Sequence, residues 1–179
     1  MKTKKLTKTF LVLIVALIAV TSCVSIPDGV TAVQNFQSEK YLGQWYEIAR
    51  FDYKYEKNMD NTTAQYSLNE DGTIKVENKG YDYVKKEWKL ATGKAKFVGS
   101  DKEARLKVSF FGPFYAGYNV VAIDDAYQNA LVYGSSKKYI WILSRNKTLD
   151  ETTKAKFIEK AKKDGYDISK LIWVAHDKD

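Results

Sequence analysis

The chain has 179 residues, 14% of them aromatic and only two of them proline, which suits one globular domain with a substantial core. It carries 29 Lys and Arg against 22 Asp and Glu, a formal charge of +7, but no block of basic residues interleaved with aromatics, so nucleic-acid binding has no support. One cysteine excludes an intrachain disulfide, and one histidine leaves little stock for a metal or catalytic centre.

The first 22 residues read as a secretory signal. Lys2, Lys4, Lys5 and Lys8 give a basic start, residues 10–20 are unbroken apolar, and the small residues Thr21 and Ser22 follow. The apolar run is too short to span a bilayer comfortably. Then comes the cysteine, and Val20-Thr21-Ser22-Cys23 resembles the lipobox of bacterial lipoproteins. That resemblance implies cleavage before Cys23 and its acylation. Two or more acyl chains anchor stably, at ~0.8 kcal/mol per buried CH2. Val24 rather than Asp follows the cysteine, which by the sorting rule of Gram-negative lipoproteins implies the outer membrane. Loss of four lysines with the leader lowers the charge from +7 to +3. Residues 23–35, with Pro27 and Gly29, read as a lipidated polar tether, and 36–179 as the domain.

From Tyr41 onward the pattern has period two, interrupted by turns. Gly43–Phe51 is the first strand, with Trp45 a large apolar plug near its start. After an irregular loop at 52–61, residues 62–68 alternate, Asn69-Glu70-Asp71-Gly72 makes a hairpin turn, and 73–80 alternate again. Further strands are read at 88–98, 104–111, 118–124, 130–134 and 139–145, separated by turns such as Gly99-Ser100-Asp101 and Gly112-Pro113-Phe114. Eight strands in sequence with short connections suit an all-β, antiparallel up-and-down barrel, which leaves no exposed edge. The competing two-sheet sandwich usually needs long crossovers, and only one loop of about ten residues occurs.

After Arg145 the period changes. Thr148-x-x-Glu151 reads as a capping box for a helix over 149–163, with Phe157, Ile158 and Ala161 on one face and Gly165 as its stop. Such a helix must bury its stripe against the outside of the barrel. A short last strand follows around Ile168 to Val174.

These residues resemble the lipocalin family, and within it the bacterial outer-membrane lipocalin lipoproteins. The likeness rests on Gly43-Gln44-Trp45, on Arg145 after the last barrel strand, and on Asn78-Lys79-Gly80-Tyr81, Lys107-Val108-Ser109-Phe110-Phe111-Gly112-Pro113-Phe114-Tyr115 and Gly117-Tyr118-Asn119-Val120. The family's Thr-Asp-Tyr signature is altered here to Ile123-Asp124-Asp125-Ala126-Tyr127, which weakens a receptor role. The resemblance implies barrel closure by Gly43, Trp45 and Arg145, with the guanidinium stacked across the indole and bonded to loop carbonyls.

Side-chain parity from Trp45 and Arg145 then assigns the interior. Tyr66, Val76, Phe97, Leu106, Val108, Phe110, Tyr118, Tyr139 and Trp141 become the expected cavity lining. Ala64, Leu68, Ile74, Ala91, Gly93, Ala95, Ala104, Val120 and Leu143 share their parity, and the small residues among them favour a void. The open end is expected among Tyr66, Phe110, Tyr118, Tyr139 and Trp141. Eight strands can hold one small ligand or be filled by side chains. The resemblance implies a fatty acid or a lysophospholipid, carried or scavenged at the cell envelope, with no cofactor. Glu47 shares the parity of Trp45; it either points inward and pairs, with Arg145 the candidate, or is turned outward by a bulge.

Two other classes compete. An enzyme lacks its groups: Cys23 is expected to be acylated, and His176 reads as a solvated tail residue. The remaining alternative is a structural envelope lipoprotein with a filled barrel. The sequence does not decide between monomer and homodimer.

Overall fold

The computed structural model describes residues 24–178. The leader and Cys23, with the secretion and lipidation readings, lie outside the described residues. Alternating segments form β1 (Gly43–Phe51), β2 (Met59–Leu68), β3 (Ile74–Asp82), β4 (Glu87–Phe97), β5 (Arg105–Phe111), β6 (Phe114–Ile123), β7 (Asn129–Gly134) and β8 (Ile140–Ser144). Each pairs antiparallel with its successor, and β8 returns to β1, which also pairs with β2, so the ring closes. One end carries the loops at 69–73, 98–104 and 124–128. The other carries those at 52–58, 83–86, 112–113 and 135–139.

Two apolar cores result, one on each face of the same sheet. Trp45, Val76, Leu106, Val120 and Leu143 belong to the inner one. Ile48, Val121, Leu131, Ile140 and Ile142 belong to the outer one, which a helix covers. That helix, after the short α1 (Ser38–Tyr41), is α2 (Glu151–Lys163), and it buries Phe157 and Ala161. Burying a side chain such as Phe157 contributes about 1.5–3 kcal/mol. The cap differs from the capping box expected at Thr148. Asp150 is the N-cap and accepts from the Thr153 amide at 2.9 Å, which starts the helix two residues later. At the other end Gly165, at φ +83, lets the Tyr166 amide reach the Ala161 carbonyl at 2.9 Å and its own amide reach Lys162 at 3.0 Å.

The chain ends reinforce the barrel. A last strand, β9 (Leu171–Trp173), pairs with Ala49, Arg50 and Phe51, taking over as the neighbour of β1 where β2 diverges after Tyr46–Thr63. The tail then stitches across the gap. Val174 donates to the Ile48 carbonyl, the Asn61 amide donates to Ala175, and His176 Nε2 lies 2.9 Å from the Glu47 carbonyl. His176 is therefore half-buried against Tyr46, not a solvated tail residue, because its ring is held at the Glu47 backbone oxygen and edge-on to the tyrosine. The tether is corrected in the same way. Pro27 and Ala32 are buried, Ser25 Oγ donates to the Ser135 carbonyl, and the Val33 amide donates to Val120, so residues 25–35 lie along the barrel and do not swing free of it.

The end holding α1 is sealed. Trp45 is fully buried, with Nε1 donating to the Tyr41 carbonyl at 2.8 Å. The Arg145 guanidinium lies 3.8 Å from the indole centroid. Its nitrogens donate to the carbonyls of Gln44 (2.6 Å), Lys40 (2.8 Å), Leu42 (2.8 Å) and Tyr127 (3.3 Å). Gly43 adopts φ +91, a backbone conformation that calls for glycine, and a Cβ there would be in van der Waals contact with Arg145 Nη1 at 3.4 Å. Arg145→Lys keeps the charge but loses the planar fork and the stacking, worth ~0.5–2 kcal/mol for the cation–π contact alone. The expected outcome is a thermal midpoint several degrees lower with ligand binding retained; an unchanged melting curve would remove Arg145 from this role.

Candidate functional site

Exposure inside the barrel is graded along its axis. Near the sealed end the inward side chains Trp45, Ala95, Ala104, Leu106, Val120 and Val132 are almost completely buried. Toward the other end Val108, Phe110, Tyr118, Tyr139 and Trp141 also point inward but stay half-buried. Solvent therefore reaches the upper interior and stops above the floor. Of the expected lining residues, Val108, Phe110, Tyr118, Tyr139 and Trp141 border this accessible part. Phe97 packs edge-on to Phe36 at the floor, with centroids 6.3 Å apart, while Val76 and Leu106 are sealed into the lower core.

Several parity assignments need correction. Leu68 is 65% exposed at the end of its strand. Ala91 is exposed on the β3–β4 hairpin, which extends past the last β4–β5 pair at Lys94–Ser109. Gly93 does not leave a void: a Cβ there would stand 2.8 Å from Phe110 Cδ1, so the phenylalanine ring already fills that space. Tyr66 is placed lower than expected. It pairs across strands with Gly43 and stacks on Tyr41 at 5.6 Å, on the floor side of the interior.

Three tyrosine hydroxyls meet at mid-height. Tyr118 OH lies 2.7 Å from Tyr41 OH and 2.9 Å from Tyr66 OH. Burial raises all three above the ordinary phenol range, so the hydroxyls stay protonated. Two hydrogen bonds use two of the three protons, which leaves one O–H to donate to a polar group above it. Asn78, inward by its β3 register beside Ala64, adds a buried Oδ1 with no hydrogen-bond partner among the described residues. A buried acceptor of this kind fits a donor from a guest or from solvent.

Above the tyrosines lies an ionic cluster. A bulge in β1 turns Ile48 and Ala49 both to the outer core, so Glu47 and Arg50 both point inward. Arg50, only 2% exposed, donates from Nη1 to Glu47 Oε1 at 2.9 Å and from Nη2 to the carbonyls of Glu56 (2.8 Å) and Met59 (2.9 Å). Its Nε stands 3.7 Å from Glu56 Oε2, which also accepts from Trp141 Nε1 at 3.2 Å. Glu47 thus points inward, but its partner is Arg50. Arg145 is engaged at the floor. The bulge considered as an alternative does occur, one residue further along, where it leaves Glu47 inside.

Glu56 also ties down the loop that carries it. Residues 52–58 fold across the open end: Tyr53 meets Tyr139 (5.8 Å) and Trp141 (5.9 Å) edge-on, and Tyr55 lies 6.1 Å from Phe111 on the opposite side of the ring. The loop is a cover pinned from beneath by a carboxylate. Parity could not reveal Arg50, because the bulge breaks the alternation. The visible signal was an Arg and a Glu within the otherwise apolar run from Trp45 to Phe51. Glu56, Tyr53 and Tyr41 lie outside any strand and carried no such signal.

Two carboxylates share one guanidinium here. Burial raises both above the usual carboxylate range, the neighbouring Glu56 charge raises Glu47 further, and Arg50 opposes both shifts. A raised folded-state pKa contributes stability that is full below the unfolded-state value and is lost as pH rises through the folded value. The pair titrates as a unit. Wild-type stability should therefore increase on acidification from pH 8 toward pH 5. In Glu47→Gln one carboxylate faces one guanidinium, and the dependence should flatten. Thermal midpoints across that range test this, and parallel curves would contradict it.

The comparisons agree with this geometry. A lipocalin-like domain model matches residues 36–176. Outer membrane lipoprotein Blc of Escherichia coli (strain K12) is 51% identical over 148 residues, covering 83% of this chain and 84% of that protein. Its counterpart in Vibrio cholerae is 43% identical over 163 residues, covering 90% and 95%. Insecticyanin from the tobacco hornworm Manduca sexta, a solved structure, superposes with a TM-score of 0.67 at 23% identity, covering 84% of this chain and 86% of that one, which bears on the fold alone.

Proposed function

The chain belongs to the lipocalin family, whose members generally bind small hydrophobic ligands, and we propose that it is a membrane-anchored carrier of a fatty acid or lysophospholipid at the bacterial envelope. The observation that carries the reading is the graded interior: a sealed floor, an accessible upper half bordered by Val108, Phe110, Tyr118, Tyr139 and Trp141, and a loop across the opening. An acyl chain would lie along the apolar wall. Its polar head would meet either the spare hydroxyl of the tyrosine group or the Arg50 cluster, whose carboxylates and guanidinium complement a zwitterion. The outer-membrane lipoprotein names of relatives up to 51% identical support an outer-membrane address, with Cys23 as the lipidated residue. The pairing of Arg50 with Glu47 and the place of His176 on the outer seam support a binding role over turnover.

One observation favours the filled-barrel alternative. Phe110 occupies the room beside Gly93, and Val76 and Leu106 border no open space. Native mass spectrometry of the purified chain separates the two. The carrier reading expects a copurified acyl lipid that added lysophosphatidylethanolamine displaces. Val108→Trp, which fills the accessible half, should weaken that binding at least about tenfold while costing stability only about 1–3 kcal/mol of overpacking. A barrel that arrives empty and binds no acyl titrant would overturn the carrier reading.

A further inference from the structure

The large apolar side chains that remain exposed are concentrated at one end of the barrel. Phe114 (78% exposed), Leu90 (77%) and Phe111 (68%), with Tyr55, Tyr83 and Val84, surround the open mouth. They come from the 52–58 loop and from the ends of the β3–β4 and β5–β6 hairpins, so three of the four connections at this end of the barrel present apolar side chains. At the sealed end Leu68 is the sole counterpart among the described residues. A water-facing carrier has no use for such a rim, and apolar clusters of this kind mark interaction sites. The polar residues between them are mostly cationic: Lys54, Lys57, Lys85, Lys86 and Lys138 are exposed there, against Asp52 and Glu87. Lysine beside exposed aromatic and aliphatic side chains is the composition that suits an anionic lipid surface.

The path of the N-terminal segment identifies the occupant. Ser25 Oγ donates to the Ser135 carbonyl in the 135–139 loop, which belongs to the rim. The Asn119 side-chain amide donates to the Ser25 carbonyl at 3.4 Å, and a Cβ on Gly117 would stand 2.8 Å from that oxygen. Ser25 is thus fixed beside the mouth. Cys23 is two residues earlier, a reach of about 7 Å at full extension. An anchor on that residue enters the bilayer next to the mouth.

We propose that the rim is a membrane-docking surface. The open mouth faces the bilayer that holds the anchor, with Val84, Leu90, Phe111 and Phe114 in the interface and the lysines against anionic headgroups. Lipid then enters or leaves the barrel without crossing water. This rests on the reading of Cys23 as lipidated, and the test keeps the two apart.

The full chain, expressed with its leader, is reconstituted into vesicles of phosphatidylethanolamine and phosphatidylglycerol. Co-flotation of wild type but not of Cys23→Ala, with no maleimide uptake by wild type, checks the anchor. An environment-sensitive maleimide dye is then placed at Val84→Cys on the rim or at Glu70→Cys at the sealed end. Docking predicts a blue shift of the Val84 dye with vesicles and its quenching by lipids brominated near the headgroup. The Glu70 dye stays in water. Adding Phe111→Asp and Phe114→Asp should abolish the shift while flotation persists. A Val84 dye that stays aqueous on floated protein overturns the proposal. So does a shift that needs no vesicles and grows with protein concentration, which would make the rim a contact between copies.

Discussion

The architecture depends on one arginine lying flat on one tryptophan. Arg145 follows the last barrel strand and Trp45 lies near the start of the first, yet the guanidinium covers the indole at 3.8 Å. The same group gathers carbonyls from α1, from the start of β1 and from the loop after β6. Four carbonyls on three chain segments thus share one planar donor. With that end closed, the interior can afford to stay accessible at the other, since stability no longer requires side chains to fill its whole length.

Polarity inside the barrel follows from this division. Below the tyrosine hydroxyls the interior is apolar and sealed. Above them it contains an arginine and two carboxylates, groups that a core ordinarily excludes unless they are paired. Breaking a buried pair is far more costly than replacing it as a whole, so the cluster fixes the 52–58 loop more through its geometry than through net stabilisation. The cover and the floor thus use the same device, an arginine bonded to main-chain carbonyls, at opposite ends.

The barrel was legible in the sequence wherever alternation was regular. Eight strands, their order and the sealed end could be read, because period two reports which face is buried. The resemblance to lipocalins linked Gly43 and Trp45 to a residue a hundred positions away, which no local pattern could do. Legibility failed where the backbone left the pleat. At Ile48 and Ala49 two residues take one register position, and everything after them changes face, so Arg50 could not be placed. The β3–β4 hairpin outruns its neighbours, so Ala91 kept its parity but lost its wall. The chain ends misled for a different reason. Polar segments such as 25–35 and the tail after Trp173 look solvated, yet their main-chain groups complete hydrogen bonds that side-chain composition does not encode.

Glu47 in the first strand is bridged by His176, 129 positions later. The upper part of β1 is flanked by β8 on one side and by β9 on the other. Its neighbours are therefore among the last residues to be synthesised, and the ring cannot close while the chain is still emerging. Closure entropy must be met before those distant pairings return anything, which makes such topologies slow to fold. For a chain whose first residues read as a secretory leader, such a delay would leave the polypeptide open for export before the barrel closes.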